Sequence, residues 1–384
     1  MTYNNRKVDK MIKNILVIDD SALMRRVISD IIESDKRFHV IGAAINGLDG
    51  ISMLQMNADK VDAVLLDINM PRMNGLEFLA EIKKQNIKTT VIVVSSIATK
   101  DAKEAILALE LGAFDLITKP EDIEELRSKT FSKRLLDCLE VATKLRWADP
   151  KKISVKAQGL DKEVEAYPEL KKKEKEEQSF RYKHAKSLKR KKKKLIAIAC
   201  STGGPKALHS VIPMLPADLD AGIVIVQHMP EGFTKSLAER INSFSQITVK
   251  EAEDGEIVKM GNAYIARGGS HMRIVHDGKG NHLIKLSTEQ PRQGLMPSAD
   301  IMFESLMDTD YDEITCVVLT GMGSDGSAGI KELSKSKNIH VIAQDQETSI
   351  VYGMPRMVKK TGLVDREESL GNISKAILKN VGVH

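Results

Sequence analysis

Cysteine is scarce in this chain and badly spaced for structural work. Its three cysteines, Cys138, Cys200 and Cys316, are odd in number and far apart, and none forms a CxxC pair. That excludes a disulfide framework and a cysteine-based structural zinc site. Aromatic residues make up only 4% of the sequence, with a single tryptophan, Trp147. No apolar run approaches the roughly 20 residues that a membrane-spanning helix requires. The opening stretch, MTYNNRKVDKMIKNILVIDD, has no signal-peptide core, because ILVI is too short. Met11 offers a second candidate start beside Met1. Net charge is only +5, so the overall balance demands neither a nucleic acid nor a membrane as partner. A cytoplasmic protein is the simplest expectation.

What is present is a globular α/β composition, with 384 residues and a hydrophobic share of 42%. At about 100–200 residues per domain, that length predicts two domains. Over residues 13–124 the runs NILVID, HVIGAA, AVLLD, VIVVSS and DLITK alternate with amphipathic stretches such as SALMRRVISDIIES. Short β-branched runs of this kind suit strands buried on both faces of a parallel sheet. The pattern predicts a flavodoxin-like (βα)5 domain over 13–130. A second alternation begins at Leu195, with LIAIAC, GIVIVQH, NAYIA, TCVVLTG and IHVIAQD. It predicts a doubly wound, mostly parallel α/β domain over 195–384. A small antiparallel hairpin is expected around HMRIVHDGKGNHLIKLS. Residues 1–12 read as an N-terminal extension, and 131–194 as a helical, then charged, linker. KKKEKEEQ and KSLKRKKKK within it have almost nothing to bury. A polyanion-binding arm is the rival for this segment. No aromatic platform alternates with its lysines and no helix-turn-helix pattern is evident, so nucleic acid is not the expected partner.

In open parallel sheets the chemistry lies at the carboxyl ends of strands. In the first domain those ends carry Asp19 and Asp20, then Asp67, Ser95 and Lys119. Converging carboxylates repel one another and call for a hard divalent cation, which points to Mg²⁺. A lysine and a hydroxyl beside it suit the oxygens of a phosphoryl group, with Asp67 as nucleophile. Any one of these residues alone could be a helix cap. IDDSALMR, LLDINMPRMNGLEFL, VVSS and ITKP resemble the receiver domain of bacterial response regulators. The resemblance implies that Asp67 is the phosphoacceptor. It implies that Asp19, Asp20, Asp67 and the carbonyl of Asn69 hold Mg²⁺, and that Ser95 and Lys119 contact the phosphoryl group. It puts Leu116 where that family has a switch aromatic.

In the second domain the strand ends carry Ser201, His228 and Asp325. A serine hydroxyl becomes nucleophilic when an imidazole takes its proton and a carboxylate orients that imidazole. Gly203 and Gly204 are expected to let a substrate carbonyl approach, and Pro205 suits the first turn of the next helix. Rivals remain in the sequence: Ser201 as a helix cap, Cys200 as a thiol nucleophile, His271 or His276 as base and Asp345 as the acid. The chain order Ser, His, Asp and Ala199 before the serine depart from the lipase-type G-x-S-x-G elbow. ACSTGGPKAL, VQHMPEGFT, LTGMGSDG and AQDQETSIVYGMP resemble the catalytic domain of chemotaxis protein-glutamate methylesterases (CheB). The resemblance implies a phosphorylation-activated hydrolase acting on glutamate methyl esters of chemoreceptors, with amidase action on receptor glutamines. It implies Ser201 as nucleophile, His228 as base and acid, and Asp325 as orienting carboxylate. The Met322 N–H would serve an oxyanion hole, with Thr202 in support. A chemotaxis histidine kinase would be the phosphodonor, and the esterase chemistry would need no cofactor. Ala199, Arg267 and Met296 depart from the family pattern.

Overall fold

The structure, a computed structural model, describes residues 12–57, 60–96, 99–120, 129–144 and 192–382. Nearly all of the expected N-terminal extension, Trp147 and most of the lysine-rich linker lie outside the described residues. Strands β1 (Lys13–Ile18), β2 (Phe38–Ala44), β3 (Ala63–Leu66), β4 (Thr90–Ser95) and β5 (Asp115–Thr118) form one five-stranded parallel sheet in the order β2-β1-β3-β4-β5. β3 is buried throughout and β1 from Ile15 to Ile18, as their apolar runs require. Helices α1 (Ala22–Glu33), α2 (Gly47–Met56), α3 (Gly75–Lys84) and α4 (Thr99–Leu111) follow β1 to β4 in turn.

Local chemistry fixes the loops that carry the acidic residues. Ser21 caps α1 by accepting from the Met24 N–H at 3.3 Å. Asn74 and Glu77 exchange hydrogen bonds of 2.9 Å in a capping box at the start of α3. Gly75 lies against the backbone of the phosphoacceptor candidate. A Cβ there would meet the Asp67 carbonyl oxygen at 2.5 Å, so only glycine allows α3 to start so close to β3.

Helix α5 (Lys129–Lys144) falls where the sequence placed the helical start of the linker. It is packed on the first domain: Phe131, Leu135, Leu139 and Ala142 share a core with Ile15, Val17 and Ile28. The end of the lysine run is also engaged. Lys192 meets Glu313 at 2.8 Å and Lys193 meets Asp310 at 2.6 Å, anchoring the entry to the next strand.

The second sheet has seven strands in the order β14-β13-β12-β6-β7-β9-β8, all parallel. They are β6 (Lys194–Cys200), β7 (Gly222–Gln227), β8 (Thr248–Glu251), β9 (Asn262–Ile265), β12 (Glu313–Val318), β13 (Ile339–Gln344) and β14 (Arg366–Glu368). β10 (His271–His276) and β11 (His282–Ser287) form the separate antiparallel hairpin. The sequence missed β8 and β14, which are the two edges of the sheet. Edge strands are half solvated and need no apolar run, so TVKE and REE carried no signal. The helices are α6 (Gly204–Val211), α7 (Phe233–Asn242), α8 (Ala299–Ser305), α9 (Ser327–Leu333), α10 (Met354–Lys359) and α11 (Ile373–Val381).

Candidate active site and phosphoacceptor site

β12, β6 and β7 are adjacent in the centre of the second sheet, so their carboxyl ends lie side by side. Ser201 leaves β6, His228 leaves β7 and Asp325 follows β12. Backbone bonds lock the three ends: Ser201 N–H donates to the Thr320 carbonyl at 3.0 Å and His228 N–H to the Cys200 carbonyl at 3.1 Å. His228 Nε2 and Asp325 Oδ2 are 2.8 Å apart. Asp325 is only 4% exposed, while Ser201 is half-buried. Among the described residues no hydrogen bond joins the Ser201 hydroxyl to His228. His228 and Asp325 are therefore paired, and Ser201 stands on the neighbouring strand end.

Asp325 is held by more than the imidazole. Its carboxylate accepts from the Ser298 hydroxyl at 2.8 Å, the Ala299 N–H at 2.5 Å and the Asp300 N–H at 3.0 Å. In return Asp300 accepts from the Gly326 and Gly329 N–H groups at 2.8 and 2.7 Å. Each acid thus caps the helix that begins beside the other, tying the start of α8 to the start of α9. Burial pushes the Asp325 carboxyl up, but His228, through its hydrogen bond and charge, and the Asp300 and Ala299 N–H groups hold it at about 2. The folded value is depressed, so the stabilisation is present above the ordinary aspartate pKa of about 3.9 and fades as pH falls through the folded one. A shift of this size is worth roughly 2 kcal/mol. Urea unfolding between about pH 4 and about pH 2 should therefore show a stability loss that Asp325→Asn lacks.

The rival residues are placed elsewhere. Cys200 is fully buried, donates from Sγ to Gln227 Oε1 at 3.0 Å, and burial pushes its thiol up, away from thiolate chemistry. Asp345 Oδ1 accepts from the N–H and hydroxyl of Thr348 at 2.9 and 2.5 Å, closing a local turn. His271 is buried and accepts the Ser298 N–H at Nδ1, 3.1 Å away. His276 is at the end of the hairpin, opposite His282.

The serine loop is closely packed on its glycine side. A Cβ on Gly203 would meet Ile350 at 2.8 Å, and one on Gly204 would meet Gln227 Oε1 at 1.9 Å. Gly203 also has φ of 80°, which favours glycine. The Thr202 hydroxyl donates to Asp115 Oδ2 of the first domain at 2.5 Å. Met322 is 42% exposed, and among the described residues nothing accepts its N–H. Arg267 pairs with Glu231 beside the loop that follows His228, and the Met296 carbonyl accepts from the Gly269 N–H at 3.3 Å.

In the first sheet Asp19, Asp20 and Asp67 each bring an oxygen within 4.8 Å of the others. Lys119 Nζ is 2.8 Å from both Asp19 Oδ2 and Asp67 Oδ2. Burial pushes the Asp67 carboxyl up to about 6, against the pull of Lys119 and the Ile68 N–H. Three hard oxygen donors answered by one lysine fit a hydrated Mg²⁺, with Asp20 exposed at the mouth. Ser95 is buried at the end of β4, and the Asn69 side chain donates to Asp101 Oδ1 at 2.6 Å. Leu116, at the switch-aromatic position, is packed in the core.

Residues 196–377 match the CheB methylesterase family, and residues 15–131 match the response regulator receiver domain. The protein-glutamate methylesterase/protein-glutamine glutaminase 1 of Syntrophomonas wolfei is 40% identical over 95% of this chain and 98% of its own. The chain belongs to the CheB methylesterase family. A Bacillus subtilis protein-glutamate methylesterase/protein-glutamine glutaminase is 38% identical over 94% of this chain and 97% of its own. The crystal structure of the Thermotoga maritima CheB methylesterase catalytic domain is similar at 39% identity and a TM-score of 0.47, covering 49% of this chain and 98% of that one.

The receiver domain lies over the methylesterase domain through α4 and β5. Glu110 on α4 accepts two hydrogen bonds from the Arg240 guanidinium, each 2.9 Å, and His209 Nε2 is 2.9 Å from the same carboxylate. Lys103 meets Glu239 at 3.4 Å. Ile106 and Leu109 of the receiver belong to one continuous apolar cluster with Leu208 and Ile241 of the methylesterase domain. Burial pushes the Asp115 carboxyl up, opposed by the Thr202 hydroxyl. Asp115 thus sits one residue from the candidate nucleophile. Sequence reading missed Asp115, Glu110, Arg240, Ser298, Asp300 and Gln227. Only Gln227 carried a visible signal, a polar residue closing the apolar strand GIVIVQ.

Proposed function

We propose that this chain is a phosphorylation-controlled serine hydrolase that demethylates glutamate methyl esters on chemoreceptors and deamidates receptor glutamines. The His228–Asp325 pair beside the end of the Ser201 strand is the observation that carries it. Asp325 engages Nε2, so Nδ1 is the imidazole nitrogen left for the serine. Ser201 Oγ attacks the ester carbonyl and its proton passes to His228. Asp325, ionised at neutral pH, stabilises the imidazolium that forms. The Met322 N–H faces the developing oxyanion. His228 returns the proton to the departing methoxide, methanol leaves, and water cleaves the acyl-enzyme by the reverse sequence. A glutamine amide follows the same course with ammonia as leaving group. The missing Ser201–His228 bond is to be formed in the substrate complex, since such bonds tighten there.

In the receiver domain Asp67 accepts the phosphoryl group from a histidine kinase. Asp19, Asp20, Asp67 and the Asn69 carbonyl would hold Mg²⁺, which would offset the carboxylate and phosphoryl charges. Lys119 and Ser95 orient the phosphoryl oxygens. Docking through α4 and β5 covers the cleft, and phosphorylation shifts that equilibrium toward opening.

Methanol release from a methylated receptor fragment tests the function. Release is expected from the full chain, rising on addition of Mg²⁺ and acetyl phosphate; no release under either condition would overturn it. Asp67→Asn should keep the basal rate and lose the stimulation. Stimulation that survives this substitution would place the phosphoacceptor elsewhere.

A further inference from the structure

Gln227 closes β7, directly before His228, and is 2% exposed. Its single Nε2 donates to two carbonyls, that of Ser201 at 3.0 Å and that of His228 at 3.2 Å. Its Oε1 accepts from Cys200 Sγ at 3.0 Å and fills the space against Gly204. The amide orientation follows from the partners: two carbonyl oxygens must face a donor, and the thiol must face an acceptor. The Ser201 carbonyl also accepts the Gly204 N–H at 2.7 Å, so the amide lies beneath the turn that presents the nucleophile.

We infer that Gln227 is a positioning residue that sets the separation between the candidate nucleophile and its base. This rests on the assignment of Ser201 and His228 above. Strand register ends with Cys200 against Gln227, one residue short of each candidate position, and the only backbone bond beyond it among the described residues that joins these two segments is His228 N–H to the Cys200 carbonyl at 3.1 Å. Past that point the two chains diverge, Ser201 into the turn before α6 and His228 into the loop before α7. The Gln227 amide is a side chain that bonds to the backbone of both residues after they leave the sheet. It limits how far the turn and the loop can part, while leaving the serine hydroxyl free to rotate. Apolar residues of similar length would fill the space and leave both carbonyls without this donor. A glutamate would aim a second acceptor at them.

Gln227→Met, Gln227→Glu, Cys200→Ala and Ser201→Ala full-length chains are compared in steady-state methanol release, with each rate scaled to the folded fraction measured by urea unfolding. Both Gln227 variants should lose at least thirtyfold in kcat, with KM within about threefold of the parent, because the ester still docks while the reacting groups are misaligned. Cys200→Ala, which removes the Sγ contacts to Gln227 Oε1 and the Val226 carbonyl but leaves the Nε2 bonds in place, should stay within about threefold in kcat. Gln227→Met retaining full kcat per folded molecule would overturn the positioning role. So would an equal loss in Cys200→Ala, which would mark general packing. Should the Gln227 variants be too unstable to assay, Gln227→His and Gln227→Asn, at the assay temperature that keeps them folded, replace them under the same criterion. Ser201→Ala separates the two levels: its activity must vanish for the catalytic assignment to hold, whatever the Gln227 variants do.

Discussion

Ser201→Ala lowers kcat for methanol release by at least about 10³-fold, with the loss near the level set by the remaining oxyanion and binding contacts. His228→Gln falls by a similar factor. The double variant falls no further than either single one, because nucleophile and base act as a unit. Cys200→Ala provides the contrast. Its thiol is fully buried and held well above the thiolate range, so its removal leaves no missing nucleophile. Steady-state methanol release, measured with the receiver unphosphorylated and phosphorylated, reads all four. Additive losses in the double variant would mean that Ser201 and His228 serve separate steps.

The second large effect concerns restraint of the unphosphorylated chain. Glu110→Ala or Arg240→Ala breaks a hydrogen-bonded ion pair, part-buried where the domains meet. Full burial would make such a break cost several kcal/mol. Side-chain exposures of 36% for Arg240 and 25% for Glu110 argue for a discount, to about 1–2 kcal/mol. The docking equilibrium then shifts about tenfold and basal methanol release rises by up to that factor. The stimulation by phosphodonor shrinks in proportion. The swap Glu110→Arg with Arg240→Glu should restore part of the restraint. His209 limits the recovery, since it lies beside the same position and would face a guanidinium. Basal activity unchanged by all three variants would remove this contact from the control mechanism.

Central strands were legible because burial on both faces writes an unbroken apolar run. LIAIAC, GIVIVQ and TCVVL therefore also marked where Ser201, His228 and Asp325 would emerge. The sheet order then did what no local pattern could, setting β6 between β12 and β7 so that the three ends meet. The edge strands β8 and β14 stayed hidden because half-solvated segments tolerate charge. Asp300 and Ser298 stayed hidden for another reason. Their role is a reciprocal exchange with a segment about 25 residues away, and polar partners across such gaps leave no periodicity. The same holds for Thr202 and Asp115, which are joined only by how the domains dock. The glycines after the serine were visible, but their close packing against Ile350 and Gln227 was not.

Covalent labelling with a fluorophosphonate, followed by peptide mass spectrometry, tests most directly whether these strand ends make one nucleophile. One phosphonyl group per chain on Ser201, with labelling suppressed in His228→Gln and unchanged in Cys200→Ala, is the predicted result. Labelling at another residue, or at Ser201 with a rate indifferent to His228, would contradict it.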